Sequence, residues 1–190
     1  RVHREVLAMP ARTAPASDSG LSLGRGLARW GRWFGAKSEP APALTTGLYI
    51  WGPVGRGKTL LVDLFFDGLP IADKRRSHFH DFRQWVHGEL EKLDNQEDPL
   101  RIIAEQYART SRVLCFDEFF VSDIGDAMIL GGLLDGLFKR DVTLVTTSNS
   151  KPDELYKDGL QRQRFLPAIK LLNDYTDVVN MDGGTDYRLR

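Results

Sequence analysis

The sequence predicts an α/β fold in which helices cover both faces of a parallel β-sheet. Short apolar runs with the length of strands lie at 48–51, 113–116, 142–147 and 177–180. Longer segments with helical spacing and helix-start residues separate most of these runs. Strands that alternate with helices form parallel sheets, because each helix returns the chain to the edge where the next strand begins. The apolar run at 113–116 further indicates a strand buried on both faces.

Capping residues and proline indicate where the helices begin. Asp81 and Ser122 each suit an N-cap position, and Asp98 stands before Pro99, which is favoured as the first helical residue. His78-Phe79-His80 predicts one more short strand ahead of Asp81. We expect helices over about 58–66, 81–93, 99–109, 123–139 and 165–172.

Composition indicates an ordinary globular domain. The chain has 190 residues, of which 42% are apolar and 27% charged. Its 26 basic and 26 acidic residues cancel, so the overall charge gives no argument for a nucleic-acid partner. No apolar run approaches the roughly 18 residues of a membrane span, and we expect no membrane insertion. Cys115 is the single cysteine, which excludes an internal disulfide and predicts a buried apolar residue.

The N-terminal segment, residues 1–46, differs from the remainder. It carries seven basic and three acidic residues, a balance of +4, and therefore leaves −4 for 47–190. It also contains four prolines, although residues 21–34 have the spacing of one helix. The arginines permit a targeting peptide, and we favour the alternative of a segment that packs on the core. We therefore divide the chain into an N-terminal segment, 1–46, and a nucleotide-binding core, 47–190.

A phosphate-binding loop provides the strongest functional signal. Residues 52–59 read G-x-x-x-x-G-K-T and lie between the strand at 48–51 and the next helix. Such a loop wraps its backbone N–H groups around phosphate oxygens at the positive end of the helix dipole. Lys58 is expected to reach the β- and γ-phosphates, and the Thr59 hydroxyl to bind Mg²⁺. The residues predicted to bind nucleotide are Gly52, Pro53, Val54, Gly55, Arg56, Gly57, Lys58, Thr59, Leu60 and Asp117.

Two adjacent carboxylates follow the strand at 113–116. Asp117 and Glu118 would stand at the carboxyl edge of a parallel sheet, where such sheets bind ligands. Asp117 is expected to hold Mg²⁺ together with Thr59. Glu118 is expected to act as the base for the attacking water, which favours hydrolysis over transfer to another acceptor. The alternative is a pair of solvent-exposed carboxylates at a strand end.

Three further polar residues complete the predicted catalytic set. Asn149 ends the strand after the acidic pair, and its amide could orient water or γ-phosphate; by itself it could equally be a turn residue. Arg162 and Arg164 follow at the interval where ring ATPases carry an arginine finger, with Arg164 favoured because Phe165 follows it. A finger supplied by a neighbouring subunit requires an oligomer. The alternative is a solvated pair of arginines.

For the histidines and for one basic run, we favour interpretations other than a metal site or a nucleic-acid site. The spacing of His78, His80 and His87 allows a metal site, but no cysteine or carboxylate cluster supports one, and a histidine beside the nucleotide is favoured. Residues 74–76, Lys-Arg-Arg, are expected to form a solvated edge. Phe82, Trp85 and Leu90 are expected to face the core.

Taken together, these motifs resemble the AAA+ ATPases, and more specifically the ZapE family of bacterial cell-division ATPases and its mitochondrial relatives. The resemblance covers about 47–190. It rests on several stretches, among them Cys-Phe-Asp-Glu-Phe-Phe-Val-Ser-Asp-Ile at 115–124, and the most specific are His-Phe-His at 78–80 and Phe-Leu-Pro-Ala-Ile at 165–169. It implies an AAA+ P-loop NTPase core with ATP and Mg²⁺ as cofactors. The helical lid that usually follows such a core is expected to lie outside this sequence.

The resemblance also implies partners and a compartment. Bacterial members act at the division site with FtsZ, and mitochondrial members are linked to protein quality control at the inner membrane. We therefore expect an oligomeric ring that binds ATP and ADP, a protein partner such as FtsZ, and no nucleic acid. The bacterial cytoplasm is favoured over the mitochondrial matrix.

Three functions remain open on the sequence. The first is an oligomeric ATPase that regulates or remodels a protein partner. The second is a nucleotide-switched nucleic-acid adaptor of the helicase-loader type, suggested by the basic N-terminal segment and by 74–76. The third is a nucleotide-bound scaffold with negligible turnover.

Overall fold

A computed structural model of the chain describes residues 1–8 and 46–181. In this part of the chain one parallel sheet runs in the order β2-β3-β4-β1-β5. The predicted α/β fold is confirmed. Because β4 lies between β1 and β3, the carboxyl ends of these three strands adjoin. The strands are β1 (Gly47–Trp51), β2 (Lys74–His78), β3 (Val113–Asp117), β4 (Thr143–Ser148) and β5 (Thr176–Asn180).

Helices cover both faces of this sheet. Alternate residues of β3 belong to two different apolar clusters. Leu114 and Phe116 belong to one cluster, and Val113 and Cys115 belong to the other. Cys115 is buried as predicted, and burial raises the pKa of its thiol to about 12. The helices are α1 (Val2–Ala8), α2 (Lys58–Gly68), α3 (Phe79–Lys92), α4 (Pro99–Thr110), α5 (Ile124–Phe138) and α6 (Leu166–Tyr175), with short 3-10 turns at Pro152–Glu154 and Arg162–Arg164.

The second strand lies earlier than its sequence indicated. β2 is the basic segment Lys74–His78, whereas Phe79 and His80 already belong to α3. The predicted strand at 78–80 is therefore wrong, as is the N-cap at Asp81, because His78 occupies the N-cap position. Charged side chains concealed the strand, since Arg75 and Arg76 find partners far along the chain, Thr110 and Asp117.

The basic run is not the solvated edge that its composition suggests. Lys74 Nζ donates hydrogen bonds to the carbonyl oxygens of Phe66 and Leu69 at the end of α2, the second at 2.7 Å. Arg75 donates to the Thr110 hydroxyl at 3.1 Å. Arg76 forms ion pairs within the candidate site described below. Although β2 is an edge strand, all three cations bind groups of the same chain.

The remaining helices begin close to their predicted positions. Asp98 caps α4 by accepting a hydrogen bond from the Arg101 N–H at 3.4 Å. In α5 the cap is Asp123, whose Oδ1 accepts from the Asp126 N–H at 2.9 Å, so the expected cap at Ser122 is displaced by one residue. In α3, Phe82 is buried, and Trp85 and Leu90 pack against the same cluster, as predicted.

The first residues of the chain pack against the core. Val2 and Val6 of α1 are buried, and His3 Nε2 lies 2.9 Å from the carbonyl oxygen of Gly68 at the end of α2. For residues 1–8 this agrees with the favoured interpretation of the N-terminal segment. The helix predicted at 21–34 lies outside the described residues, and the division at residue 46 stays a prediction. Within 1–8 and 46–181, every helix is too short or too polar to span a membrane.

Candidate nucleotide-binding site

The loop between β1 and α2 surrounds the side chain of Lys58. Gly55 and Gly57 adopt left-handed backbone conformations, with φ of 84° and 78°, which glycine tolerates better than other residues. Lys58 begins α2, and its Nζ donates hydrogen bonds to the carbonyl oxygens of Gly52 and Pro53 at 2.6 and 2.9 Å. The loop therefore holds a buried cation at the N-terminus of a helix, where anions are favoured.

The sheet order brings Asn149 to the same place. Asn149 follows β4, which pairs directly with β1, and its Oδ1 accepts a hydrogen bond from Lys58 Nζ at 3.1 Å. Ninety-one residues separate these two side chains in the sequence. The contact joins the predicted phosphate-binding loop to the amide predicted to orient water or γ-phosphate.

One cleft connects the loop with the carboxyl ends of β3 and β4. It encloses about 350 Å³. Glu118 and Asn149 border it together with most of the loop, whereas Gly52, Pro53, Leu60 and Asp117 do not. Its lining comprises Val54, Gly55, Arg56, Gly57, Lys58, Thr59, Glu118, Thr147, Ser148 and Asn149.

Glu118 enters the cleft from a strained backbone. Its φ of 57° is left-handed, and its N–H donates a hydrogen bond to the Thr147 hydroxyl at 3.1 Å. The next N–H, of Phe119, donates to the Thr147 carbonyl at 2.7 Å, and the Ser148 hydroxyl donates to the Phe119 carbonyl at 2.9 Å. Sequence reasoning missed Thr147 and Ser148, although two hydroxyl residues directly before Asn149 were an available signal.

Asp117 is buried and carries an ion pair that the sequence did not reveal. Its Oδ2 accepts a hydrogen bond from Arg76 Nε at 2.8 Å and lies 2.7 Å from Arg76 Nη2 in an ion pair, while Arg76 Nη1 binds Asp63 of α2. Asp117 Oδ1 is also buried and accepts no hydrogen bond from the described part of the chain. Arg76 and Asp63 could not be identified beforehand, because their meeting depends on the pairing of β2 with β3.

Asp117 and Thr59 fit the role of Mg²⁺ ligands in their chemistry. Mg²⁺ prefers hard oxygen ligands and is usually bound by one or two protein groups together with water and phosphate. The buried, unsatisfied Oδ1 of Asp117 is an acceptor of that kind, and Thr59 offers an exposed hydroxyl on the first turn of α2.

The two candidate finger arginines lie apart from the cleft of their own chain. Both belong to the 3-10 turn that precedes α6. Arg162 Nη2 donates to the carbonyl oxygen of Asp153 at 2.6 Å. The exposed side chain of Arg164 forms no hydrogen bond or ion pair with the described residues. Arg162 is therefore engaged within its chain, whereas Arg164 is available to another molecule.

A second cavity adjoins the cleft on the side of α3. It encloses about 360 Å³ and shares Glu118, Ser148 and Asn149 with the cleft. His80 and Arg83 lie on its wall, with His80 Nδ1 3.2 Å from Arg83 Nη2. Of the histidines considered in the sequence, His80 is thus one that lies beside the candidate site.

Comparisons of sequence identify relatives of the chain. The model of the AFG1-like ATPase family matches residues 5–190. Cell division protein ZapE of Escherichia coli K12 is 56% identical over 164 residues, which cover 86% of this chain and 44% of that protein. Lactation elevated protein 1 homolog B of Danio rerio is 44% identical over 164 residues, covering 80% of this chain and 32% of that protein. The chain thus spans less than half the length of these curated relatives.

Comparisons of structure support the fold. A crystal structure of DnaI superimposes with a TM-score of 0.54 and 18% identity, covering 73% of this chain and 74% of that one. AMPPCP-bound DnaA from Aquifex aeolicus gives 0.53 and 16% identity, covering 75% and 43%. At such identities the likeness concerns the fold alone, which is that of an AAA+ P-loop NTPase core. With the family match over nearly the whole sequence, the chain belongs to the AFG1-like ATPase family.

Proposed function

We propose that this chain is the nucleotide-binding core of an oligomeric AAA+ ATPase that hydrolyses ATP with Mg²⁺. The observation that supports this most directly is the single cleft bordered by Lys58, Glu118 and Asn149. A phosphate-binding cation, a carboxylate base and an amide at one cleft are the groups that phosphoryl transfer to water requires. Membership of the AFG1-like ATPase family agrees with the proposal.

Each predicted site residue has a separate role in the proposed reaction. Lys58 exchanges the carbonyl oxygens of Gly52 and Pro53 for the β- and γ-phosphates. Thr59 and Asp117 hold Mg²⁺, which supplies positive charge to the phosphates when it is bound. Glu118 accepts a proton as the oxygen of water attacks the γ-phosphorus and the bond to ADP breaks. Asn149, freed from Lys58, orients the water or the γ-phosphate through its amide.

Arg164 is proposed to act on the cleft of a neighbouring copy. Its exposed guanidinium has no partner in the described part of its own chain, whereas Arg162 is held by the Asp153 carbonyl. An arginine supplied in trans can increase turnover by about 10³-fold or more, because it neutralises charge on the transferred phosphoryl group. This role makes a homo-oligomer, as in a ring, part of the proposal.

The cellular role is proposed from the relatives. ZapE of E. coli is named a cell division protein, and we propose that the whole protein to which this chain belongs regulates or remodels a protein partner in cell division. FtsZ is the partner implied by the resemblance stated above. The bacterial cytoplasm is the proposed compartment, with the mitochondrial matrix as the alternative.

The helicase-loader function receives less support than the ATPase function. The likeness to DnaI concerns the fold, and the run at 74–76, one of the two basic segments that suggested a nucleic-acid adaptor, binds groups within the chain. We expect no binding of single-stranded DNA even at low salt. Fluorescence anisotropy with labelled DNA tests this, and binding that weakens steeply with salt would reinstate the adaptor.

The primary experiment measures ATP turnover across a series of protein concentrations. We expect specific activity to rise with concentration, because each site is completed by a neighbour. Lys58→Ala should lose nucleotide binding, while Glu118→Gln should bind ATP without hydrolysing it. Full hydrolysis by Glu118→Gln would refute the assigned base, and normal binding with negligible wild-type turnover would favour the scaffold function.

A matched pair of variants then tests the finger. Arg164→Ala should abolish turnover, whereas Arg162→Ala should retain most of it. Mixing Arg164→Ala with Glu118→Gln should restore activity, since an intact Glu118 site can then receive Arg164 from the other copy. Activity that is independent of concentration and survives Arg164→Ala would remove the finger from the proposal.

A further inference from the structure

Three charged side chains, joined by two ion pairs, link α2 to β3. Arg76 of β2 binds Asp117 through Nε and Nη2, and binds Asp63 of α2 through Nη1. Arg76 retains 22% of its side-chain exposure and Asp117 6%, so water screens their contact only weakly. The guanidinium is a rigid planar fork, and its Nε and Nη2 both hold Oδ2 of the Asp117 carboxylate.

Asp63, the first of these charged residues, lies in the same helix as Thr59. Thr59 and Asp63 are four residues apart in α2, so their side chains lie on the same face of the helix, one turn apart. Arg76 binds Asp63 to Asp117, and it therefore also fixes Asp117 relative to the face that carries Thr59. The two groups proposed to hold Mg²⁺ belong to elements that this arginine joins.

The ion pair with Arg76 leaves one carboxylate oxygen of Asp117 without a hydrogen bond within the part of the chain that the structure describes. Arg76 occupies Oδ2, whereas Oδ1 remains buried without a hydrogen bond from the described residues. Two carboxylates share one guanidinium, so Asp63, Arg76 and Asp117 together keep one negative charge. A cation beside a metal ligand would by itself weaken Mg²⁺ binding, and Asp63 offsets that effect.

We propose that Arg76 is a positioning residue that fixes Asp117 against α2 and thereby sets the affinity of the site for Mg²⁺. This inference rests on the proposed function, because it assumes that Asp117 and Thr59 serve nucleotide-bound Mg²⁺. If Arg76 acts by orienting Asp117, its removal should change the affinity for Mg²⁺ in the direction opposite to the one that its charge alone would give. Removing a nearby cation should strengthen Mg²⁺ binding by Coulomb's law, whereas releasing Asp117 should weaken it.

The test is the Mg²⁺ dependence of nucleotide binding by Arg76→Met, measured with a fluorescent ATP analogue. We expect the half-saturating Mg²⁺ concentration to rise about tenfold or more, as is typical when a group that orients a metal ligand is lost. Nucleotide binding in EDTA should be unchanged, because Lys58 and the loop are not altered. Arg75→Met is the matched control: it removes the same charge from the adjacent residue of β2, whose side chain contacts Thr110.

Arg76→Lys separates geometry from charge, and also serves if Arg76→Met does not fold. Lysine retains the charge but lacks the fork that binds both carboxylates, so we expect weakened Mg²⁺ binding here as well. Wild-type Mg²⁺ dependence in Arg76→Lys, or tighter binding in Arg76→Met, would overturn the inference. Failure of the wild type to bind nucleotide, or full hydrolysis by Glu118→Gln, would instead refute the proposed function.

Discussion

Glu118 and Gly57 share a left-handed backbone conformation for different reasons. In Glu118, with φ of 57°, the conformation costs about 1–2 kcal/mol, because Cβ approaches the following carbonyl. Hydrogen bonds with the Thr147 and Ser148 hydroxyls hold residues 118 and 119 in place, and the strain directs a carboxylate into the cleft. Gly57, with φ of 78°, adopts the conformation without a Cβ. Both residues therefore help to shape the backbone that lines the cleft.

Gly57→Ala should therefore destabilise the protein and weaken nucleotide binding, although a Cβ at this position meets no atom within 4 Å. The left-handed backbone alone should cost about 1 kcal/mol of unfolding free energy. Gly88→Ala in α3 is the control, because its Cβ is equally unobstructed in a helix and should stabilise by about 0.5–1 kcal/mol. Urea denaturation and nucleotide titration measure both. Equal stability of the two variants would contradict the strain argument.

The start of α5 shows how one capping residue orients an element beside the site. Asp123 accepts the Asp126 N–H, and Asp126 in turn is buried and binds Arg83 of α3. The hydrogen bond from the Asp126 backbone is the main cause that holds the pKa of Asp123 below its ordinary value. The cap therefore stabilises the fold above the ordinary pKa of aspartate, and this contribution is lost as pH falls through the lowered value.

Asp123→Ala should reduce the free energy of unfolding by about 1 kcal/mol at pH 7. Asp123→Asn should retain most of the stability at pH 7, since asparagine caps helices as well as aspartate does. Because asparagine does not titrate, the stability of Asp123→Asn should fall less than that of the wild type as pH drops below 4. Urea unfolding from pH 7 to pH 3 measures this. Parallel curves for the wild type and Asp123→Asn would exclude a titrating cap.

The two ends of the parallel strands have different roles, one in the candidate site and the other in stability. The cleft lies at the carboxyl ends of the strands. At the opposite ends, Asp73 before β2 binds the buried Arg112 before β3 through two hydrogen bonds of 2.5 and 3.0 Å. The Arg112 N–H also donates to the Asp73 carbonyl at 2.7 Å. This ion pair holds the edge strand without contact with the cleft.

Asp73→Ala should lower the free energy of unfolding by about 3 kcal/mol, because it removes the carboxylate that binds the buried Arg112 guanidinium. Nucleotide affinity of the folded fraction should not change, since the pair stands at the other end of the sheet. Asp174→Ala removes an exposed ion pair with Lys170 and should cost about 0.5 kcal/mol or less. Thermal unfolding with nucleotide titration checks both. Loss of nucleotide affinity in Asp73→Ala would show that the two ends of the strands are coupled.

The fold class, the loop at 52–59 and most strand and helix positions could be predicted from the sequence. These depend on local patterns, namely apolar periodicity, capping residues and a contiguous motif. The remaining features depend on tertiary contacts. The cations of β2 were not recognised as part of a strand because Arg75 and Arg76 bind groups far along the chain, and Arg76 meets Asp117 because β2 pairs with β3. Contacts between residues far apart in sequence depend on strand order, which no local pattern encodes.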